Sequence, residues 1–487
     1  MTTRRDFCQW MAKTASLAMI PSVAAQASAV QASQEPAPAP SARHGRPLLE
    51  LQQQFLDLRF GMFVHFNMAT FQNREWGDPT SPADQFNPTA LDTDQWAAAA
   101  KSANMTWGCL TTKHHDGFCI WPTATKSASV RLTQHKTDVV RAYVDSFRKA
   151  NLRVALYFSI LDMRDDIRHF NITHDKIQLV KDQLTELFTG YGAVDALIID
   201  GWNAPWSRIT YEEMPFTEIY EHIKSMQPDC LVSDLNASQF PAGGLYYSDL
   251  KAFEQNAGQK VPPGSDLPAF SCVTLTDGWF WKQSDANGRL KPTATVVDEW
   301  LVPLNRRHCN LILNAAPNRE GRLAPNVVAR LEEIGKAWQH PGPAEKISEH
   351  IVITTPNLAT GKPIKASSYP DTVGPDLAND GDFRSSWNPD DGLTSAWLQV
   401  DLKKEQSFNV LSLVEPVGQW DDYKQSRIKS YKFQAWNGHD WTTLVEGGVP
   451  VPVAIHRIPR VTSSQVRLTI ESGHDAPHIA DLGVYNQ

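Results

Sequence analysis

Through the first 340 residues the apolar positions fall into two alternating patterns: short continuous runs that stop at polar residues, and longer stretches with a 3.6-residue period. Arg59-Phe60-Gly61-Met62-Phe63-Val64-His65 is the first run, ending at His65. Met105 to Thr112 leads into Lys113-His114-His115-Asp116-Gly117-Phe118, and Leu152 to Ser159 contains Tyr157. Ala196-Leu197-Ile198-Ile199 then stops at Asp200-Gly201-Trp202. Asp229 to Asp234 makes a fifth run and Cys309 to Asn314 a closing one. Continuous apolar runs read as parallel strands buried on both faces. Between them, residues 94–101, 138–150, 176–191, 218–226 and 327–338 carry helical periodicity; Asp92 or Thr93 stands near the N-cap of the first. Strand and helix alternating at about 40-residue spacing predict a parallel α/β domain over 46–340. A doubly wound sheet would alternate in the same way. The choice falls on a (β/α)8-like barrel because His65, His114, His115, Tyr157 and Asp200 all fall at strand ends, where barrel enzymes assemble their sites.

Helical periodicity vanishes after the Pro- and Gly-rich residues 340–344. Residues 341–355 read as a linker. Beyond it lie short β-rich runs at 397–402, 408–414, 430–436 and 465–470, separated by turn residues. These predict an all-β sandwich over 356–487.

The N-terminus changes the picture again. Thr3-Arg4-Arg5-Asp6-Phe7 is a twin-arginine pattern, followed by a weakly apolar stretch and Ala25-Gln26-Ala27. Residues 1–27 therefore read as a signal peptide, with a periplasmic or secreted protein as the expectation. Residues 28–45, rich in Ser, Ala, Gln and Pro, read as a disordered leader. No later segment approaches about 20 uninterrupted apolar residues, so no membrane insertion is expected after cleavage. The net charge of −8, without a basic cluster, argues against a nucleic-acid partner. Sixteen Trp against eleven Tyr offer flat faces for stacking on sugars. Cys109, Cys119, Cys230, Cys272 and Cys309 show no metal-site spacing and read as buried free thiols.

Asp200 is the candidate nucleophile, against the alternative that it only caps the next helix. Glu75 and Trp76 lie in a loop suited to sugar contact. His114 and His115 lack a third ligand at metal-binding spacing, which favours hydrogen bonding to substrate hydroxyls. No phosphate loop supports a nucleotide site.

These residues carry a resemblance. Phe60 to His65, Glu75-Trp76, Lys113-His114-His115-Asp116-Gly117-Phe118-Cys119-Ile120-Trp121-Pro122, Leu156 to Ser159, Ile199-Asp200-Gly201 and Asn310 to Asn314 resemble, in order, the α-L-fucosidases of glycoside hydrolase family 29. The resemblance implies a retaining exo-glycosidase that removes terminal α-L-fucose from a fucosylated oligosaccharide or glycoconjugate, with Asp200 as nucleophile. His65, His114, His115 and Tyr157 would contact fucose hydroxyls, Trp279 would pack near the sugar methyl group, and Trp202 is a further candidate contact. Such chemistry needs two carboxyl groups about 5–5.5 Å apart, one kept ionised and one held protonated, and no cofactor for catalysis. Many family members carry their acid/base where this chain has Phe270, and a Phe cannot transfer a proton. Others use a Glu upstream, and Asp249-Leu250-Lys251-Ala252-Phe253-Glu254 fits that spacing. Glu254 is therefore the assigned acid/base, with Asp277 and Glu75 as reserves. The Phe270 departure leaves two alternatives standing: a catalytically weak carbohydrate-binding protein, or a glycosidase for a related sugar such as L-galactose.

The C-terminal module resembles a discoidin or coagulation factor type C domain, through Asn379-Asp380-Gly381-Asp382, Trp387, Trp397 to Leu402 and Ile479 to Tyr485. In such modules the Asp-Gly-Asp loop can hold a structural Ca²⁺. Asp380, Asp382 and Asp481 are the candidate ligands, against an ordinary Asx turn. A buttressing role for the module is favoured over glycan binding.

Overall fold

Continuous apolar runs have no polar face to offer water, and the strands they form are buried along both sides. The computed structural model describes residues 45–487, apart from 238–239, 242, 417–425, 451 and 473–474. The expected signal peptide and nearly all of the expected leader fall outside the described residues. Five strands follow in order: β1 Phe60–Val64, β2 Trp107–Lys113, β3 Arg153–Ser159, β4 Ala196–Asp200 and β5 Leu231–Asp234. After a two-residue β6, Leu245–Tyr246, come β7 Lys251–Glu254, β8 Ala269–Thr274 and β9 Cys309–Asn314. All but β6 form one parallel sheet in the order β5-β4-β3-β2-β1-β9-β8-β7, which curls into a nearly closed barrel. At the seam between β5 and β7, Asp249 N–H donates to Val232 O at 2.8 Å. Ser248 and Asp249 side chains accept from Asp234 N and Val232 N. The helices Thr93–Ser102, Val139–Lys149, His174–Gly190, Phe216–Met226 and Pro325–Ala337 cover the outside. Asp92 caps the first through Gln95 N and Asp138 the second through Arg141 N.

The pleat sorts each strand into two sets. Phe63, Ala155, Ile198, Ala252, Phe270 and Ile312 fill the barrel interior, while Met62, Leu156, Leu197, Phe253 and Leu311 pack outward under the helices. Continuing the inward parity by two residues gives His65, Tyr157, Asp200, Glu254, Cys272 and Asn314. One layer of alternation thus defines the floor of a site at the C-terminal end of the barrel. Among the described residues, Cys109, Cys119, Cys230, Cys272 and Cys309 are buried free thiols.

The C-terminal body is antiparallel. Its strands are β11 Ile364–Ala366, β12 Ser395–Val414, β13 Ile428–Trp436, β14 Trp441–Gly447, β15 Val453–Ser472 and β16 Asp481–Tyr485, preceded by β10 Val352–Ile353. The order is β11-β12-β15-β13-β14, with β16 on β12. The runs predicted separately at 397–402 and 408–414 are two halves of β12, which shifts register between Asp401 and Gln406. Lys403, at φ 70°, marks the break.

Residues 341–355 are not a free tether. Arg59 donates to Gly342 O and Pro343 O, and β10 pairs in parallel with β6. Phe383 packs on Phe240 and Tyr246 at ring distances of 5.6 and 5.7 Å. Val410 and Tyr485 belong to the same apolar cluster as the outer barrel core. Among the described residues no helix is long and apolar enough to cross a membrane.

Candidate active site

A cavity of about 110 Å³ opens where the inward parity ends, lined among others by His65, His114, His115, Tyr157, Asp200, Glu254 and Trp279. Pockets for drug-sized ligands run to roughly 300–1,000 Å³, so this one suits a single small ring.

Asp200, at the end of β4, is held from two sides. Tyr157 Oη donates to its Oδ2 at 2.7 Å, and Asn236 Nδ2 donates to its Oδ1 at 2.9 Å. Burial and the Asp200 charge push the Tyr157 phenol well above its ordinary range, so it stays a donor. Asp200 caps no helix here: the next, Phe216–Met226, begins sixteen residues later and is preceded by Pro215.

Three histidines ring the cavity uncharged. Burial lowers His65 to about 3 and His115 to about 4, and takes His114 well below its usual value. The hydrogen bonds fix two of the tautomers. Ser159 Oγ donates to Leu161 O at 2.7 Å, so it accepts from His115 Nδ1 at 2.8 Å. Asn314 Nδ2 donates to Trp279 O, which turns its Oδ1 to accept from His65 Nδ1 at 2.7 Å. Each ring therefore keeps a bare Nε2. That of His115 lies 3.6 Å from Asp200 Oδ2, and His114 Nδ1 is buried without a protein partner. Bare nitrogens and carboxylates are acceptors. Lining a cavity with them suits a ligand rich in hydroxyl donors.

Glu254, at the end of β7, faces the same cavity. Burial first and the Asp200 charge second raise its carboxyl to about 7, opposed by a hydrogen bond from the Trp279 indole. A raised carboxyl beside a second one held by two hydrogen bonds fits the division of labour of an acid and a nucleophile. Phe270 sits fully buried one layer below, inside the barrel. The β8 residue that reaches the cavity is Cys272, the register partner of Glu254. Of the reserves, Asp277 is exposed and near Lys291. Glu75 does line the cavity, but its carboxylate is occupied: it accepts from Trp279 N at 2.9 Å and pairs with Lys282. A Cβ on Gly278 would strike it at 2.1 Å, so this Glu shapes the Trp279 loop.

Trp76 and Trp279 line the cavity. Trp202 does not: it is fully buried, its indole N–H spent on Met214 O at 2.8 Å, packed against Tyr211 and Phe216. Four residues on, Trp206 takes the exposed place, 4.3 Å from the His115 ring and edge-on to Trp76 at 5.1 Å. Trp206, Asn236, Ser159 and Asn314 were missed in the sequence. The first two sit on loops without periodicity, but Ser159 and Asn314 share the inward parity of their strands and could have been found from it.

In the C-terminal body, Asp382 is engaged by the Arg384 guanidinium through two 2.8 Å bonds. This does not suit its carboxylate to a cation. Asp380 is engaged as well, its Oδ1 accepting from Asp382 N at 2.8 Å. Ser385 Oγ bridges Asp380 Oδ2 and Asp382 O at 2.7 and 2.8 Å. Asp481 is buried, its carboxyl raised to about 8 by burial with the Asp380 charge adding to it, and its Oδ2 has no partner. Among the described residues no group of three or more His, Cys, Asp or Glu side chains could hold a metal, so a cation here would need carbonyl oxygens.

Residues 23–342 match the family model for alpha-L-fucosidase, and residues 363–482 that for the F5/8 type C domain. Alpha-L-fucosidase 1 of Arabidopsis thaliana is 27% identical over 473 residues, covering 91% of this chain and 88% of its own length. The tissue alpha-L-fucosidase of Homo sapiens is 25% identical over 326 residues, 58% of this chain and 66% of its own. The fold is shared with the solved alpha-L-fucosidase isoenzyme 1 from Paenibacillus thiaminolyticus at a TM-score of 0.51 and 22% identity, covering 88% of this chain and 100% of that one.

Proposed function

The chain belongs to the α-L-fucosidase family and is a glycoside hydrolase, and from that premise we propose that it releases terminal α-L-fucose with retention, through a covalent bond to Asp200. The observation that carries the reading is the pairing of Asp200 with the raised Glu254 in a cavity sized for one ring. Adjacent strands lie about 4.8 Å apart. With β5 between them, β4 and β7 are separated by roughly 10 Å, a span that inward Asp and Glu side chains narrow toward the spacing a retaining pair requires.

In the first step a carboxylate oxygen of Asp200 attacks the anomeric carbon while Glu254 gives its proton to the departing oxygen. In the second, Glu254 takes a proton from water, which displaces Asp200. The bare Nε2 atoms of His65 and His115 accept from sugar hydroxyls, fixing the ring. Tyr157 and Asn236 hold both Asp200 oxygens for attack. The twin-arginine pattern supports a periplasmic or secreted site of action on a fucosylated glycan. Of the expected ligands Asp380, Asp382 and Asp481, only Asp481 has a free carboxylate oxygen, so a structural calcium ion in the C-terminal body would take Asp481 together with carbonyl oxygens.

The test is hydrolysis of an aryl α-L-fucoside and of a fucosylated oligosaccharide by wild type, Asp200→Asn and Glu254→Ala. An activated aryl leaving group needs little protonation. Glu254→Ala should lose the oligosaccharide by about 100-fold or more while azide restores turnover of the aryl substrate. Asp200→Asn should lose both. Undiminished hydrolysis by Asp200→Asn would sink the assignment.

A further inference from the structure

Lys251 is an ionisable side chain that the reaction does not use, and it is 1% exposed. It stands on the outward parity of β7, three residues before Glu254. Its ammonium has three hydrogens, and all are spent on backbone carbonyls of one segment: Ala237 O at 3.0 Å, Phe240 O at 2.9 Å and Pro241 O at 3.1 Å. That segment joins β5 to β6, and near its start stands Asn236, whose amide donates to Asp200 Oδ1. A second buried group pins the same residue. Asp234 accepts from Asn236 N at 2.9 Å through Oδ1 and from Tyr211 Oη at 2.6 Å through Oδ2.

We propose that Lys251 is a positioning residue for the nucleophile, acting through Asn236: it staples the β5–β6 segment to β7 and so fixes the amide that aims Asp200. The inference rests on the reading of Asp200 as nucleophile. Burying a charge costs several kcal/mol unless each of its hydrogens is satisfied. Burial lowers Lys251 to about 7, with the Asp234 charge opposing, and the three converging carbonyls fix Ala237, Phe240 and Pro241 against β7. A carboxylate turned out of line attacks poorly even when the sugar is bound well; a displacement of about 1 Å costs on the order of 100-fold.

The experiment is a double-mutant cycle in the full chain with Asn236→Ala, Lys251→Met and the pair, on an aryl α-L-fucoside. Each single variant should lower kcat by up to about 100-fold with KM within about two-fold, and the pair should fall no further than Asn236→Ala alone. A purely structural lysine would instead give additive losses. Additive losses, or a folded Lys251→Met with wild-type kcat, overturn the proposal. If Lys251→Met does not fold, Lys251→Arg takes its place, because a planar guanidinium cannot serve three convergent carbonyls as an ammonium does. The same cycle is read a second time as affinity for a fucose-shaped iminosugar, whose ammonium pairs with Asp200. Non-additive weakening is expected there too, and additive weakening overturns the proposal. Because binding needs no turnover, a wrong assignment of the reaction and a wrong assignment of Lys251 give different results.

Discussion

The bare nitrogens of His65 and His115 and the proton of Glu254 set opposite limits on acidity. Glu254 must be protonated to serve a sugar leaving group, and it loses that proton as pH rises through about 7. His115 accepts only while neutral; below about pH 4 it charges and turns toward Asp200. Hydrolysis of the oligosaccharide should therefore follow a bell falling near these two values, while the alkaline limb weakens for an aryl substrate. A flat profile to pH 9 on the oligosaccharide would exclude Glu254. The buried histidines also bear on stability. Their folded values lie below the unfolded value of about 6.5, so at these positions the unfolded chain binds more protons, opposing the raised buried carboxyls Glu254 and Asp481; a His115→Gln variant should therefore lose less melting temperature than wild type as pH falls from about 6.5 toward 4. Trp202 and Trp206 separate the same way. Trp202→Ala should cost about 3–5 kcal/mol of stability, as large core truncations do. Trp206→Ala should leave stability within about 0.5 kcal/mol and raise KM for the oligosaccharide. Sequence alone pointed to Trp202 because it follows Asp200, but a residue two beyond a strand end is already in a loop whose path the sequence does not reveal.

At the level of elements, the strands that could be read were those whose apolar runs are long enough to stand out: β1 to β5 and β9. β7 and β8 escaped notice. Lys251-Ala252-Phe253-Glu254 is four residues with a charge at each end, and Ala269 to Thr274 carries Ser271 and Thr274 where the outer layer and loops can satisfy them. Glu254 is nevertheless singled out by its spacing from Asp249 within the family resemblance rather than by its strand, and it lines the cavity. The expectation that Phe270 had displaced the acid also has an element-scale answer. Phe270 belongs to the inward layer below the cavity, and the strand reaches the surface of the site two residues later, at Cys272. In the C-terminal body, the partnerless Asp481 Oδ2 gives the calcium proposal its test. Adding Ca²⁺ to chelator-treated protein should raise the melting temperature, since a ligand that binds only the folded form stabilises it. Asp481→Asn should erase the rise, and equal melts with and without Ca²⁺ in the wild type would dismiss the site.

For the molecule as a whole, the boundary between the barrel and the β-rich body is legible in composition, but its tightness is not. Pro and Gly near residue 342 suggest a tether; only the structure shows β10 paired with β6 and Phe383 against Phe240. Phe240 also lends its carbonyl to Lys251, so the C-terminal body backs the segment that aims Asp200. The full chain should melt in one calorimetric transition, and a chain ending at residue 355 should lose activity on aryl fucoside although every cavity residue is retained. Two resolved transitions, or a fully active truncated enzyme, would count against this coupling. The two-residue pairing of β10 with β6 has a further consequence, for inheritance. A module hung on a plain tether can be exchanged between genes at the tether, but here the crossover point lies inside the hydrogen bonding of the catalytic body. A lineage that traded this C-terminal half at the Pro- and Gly-rich residues 340–344 would have to replace a strand paired with its own enzyme, so the two halves are expected to descend together.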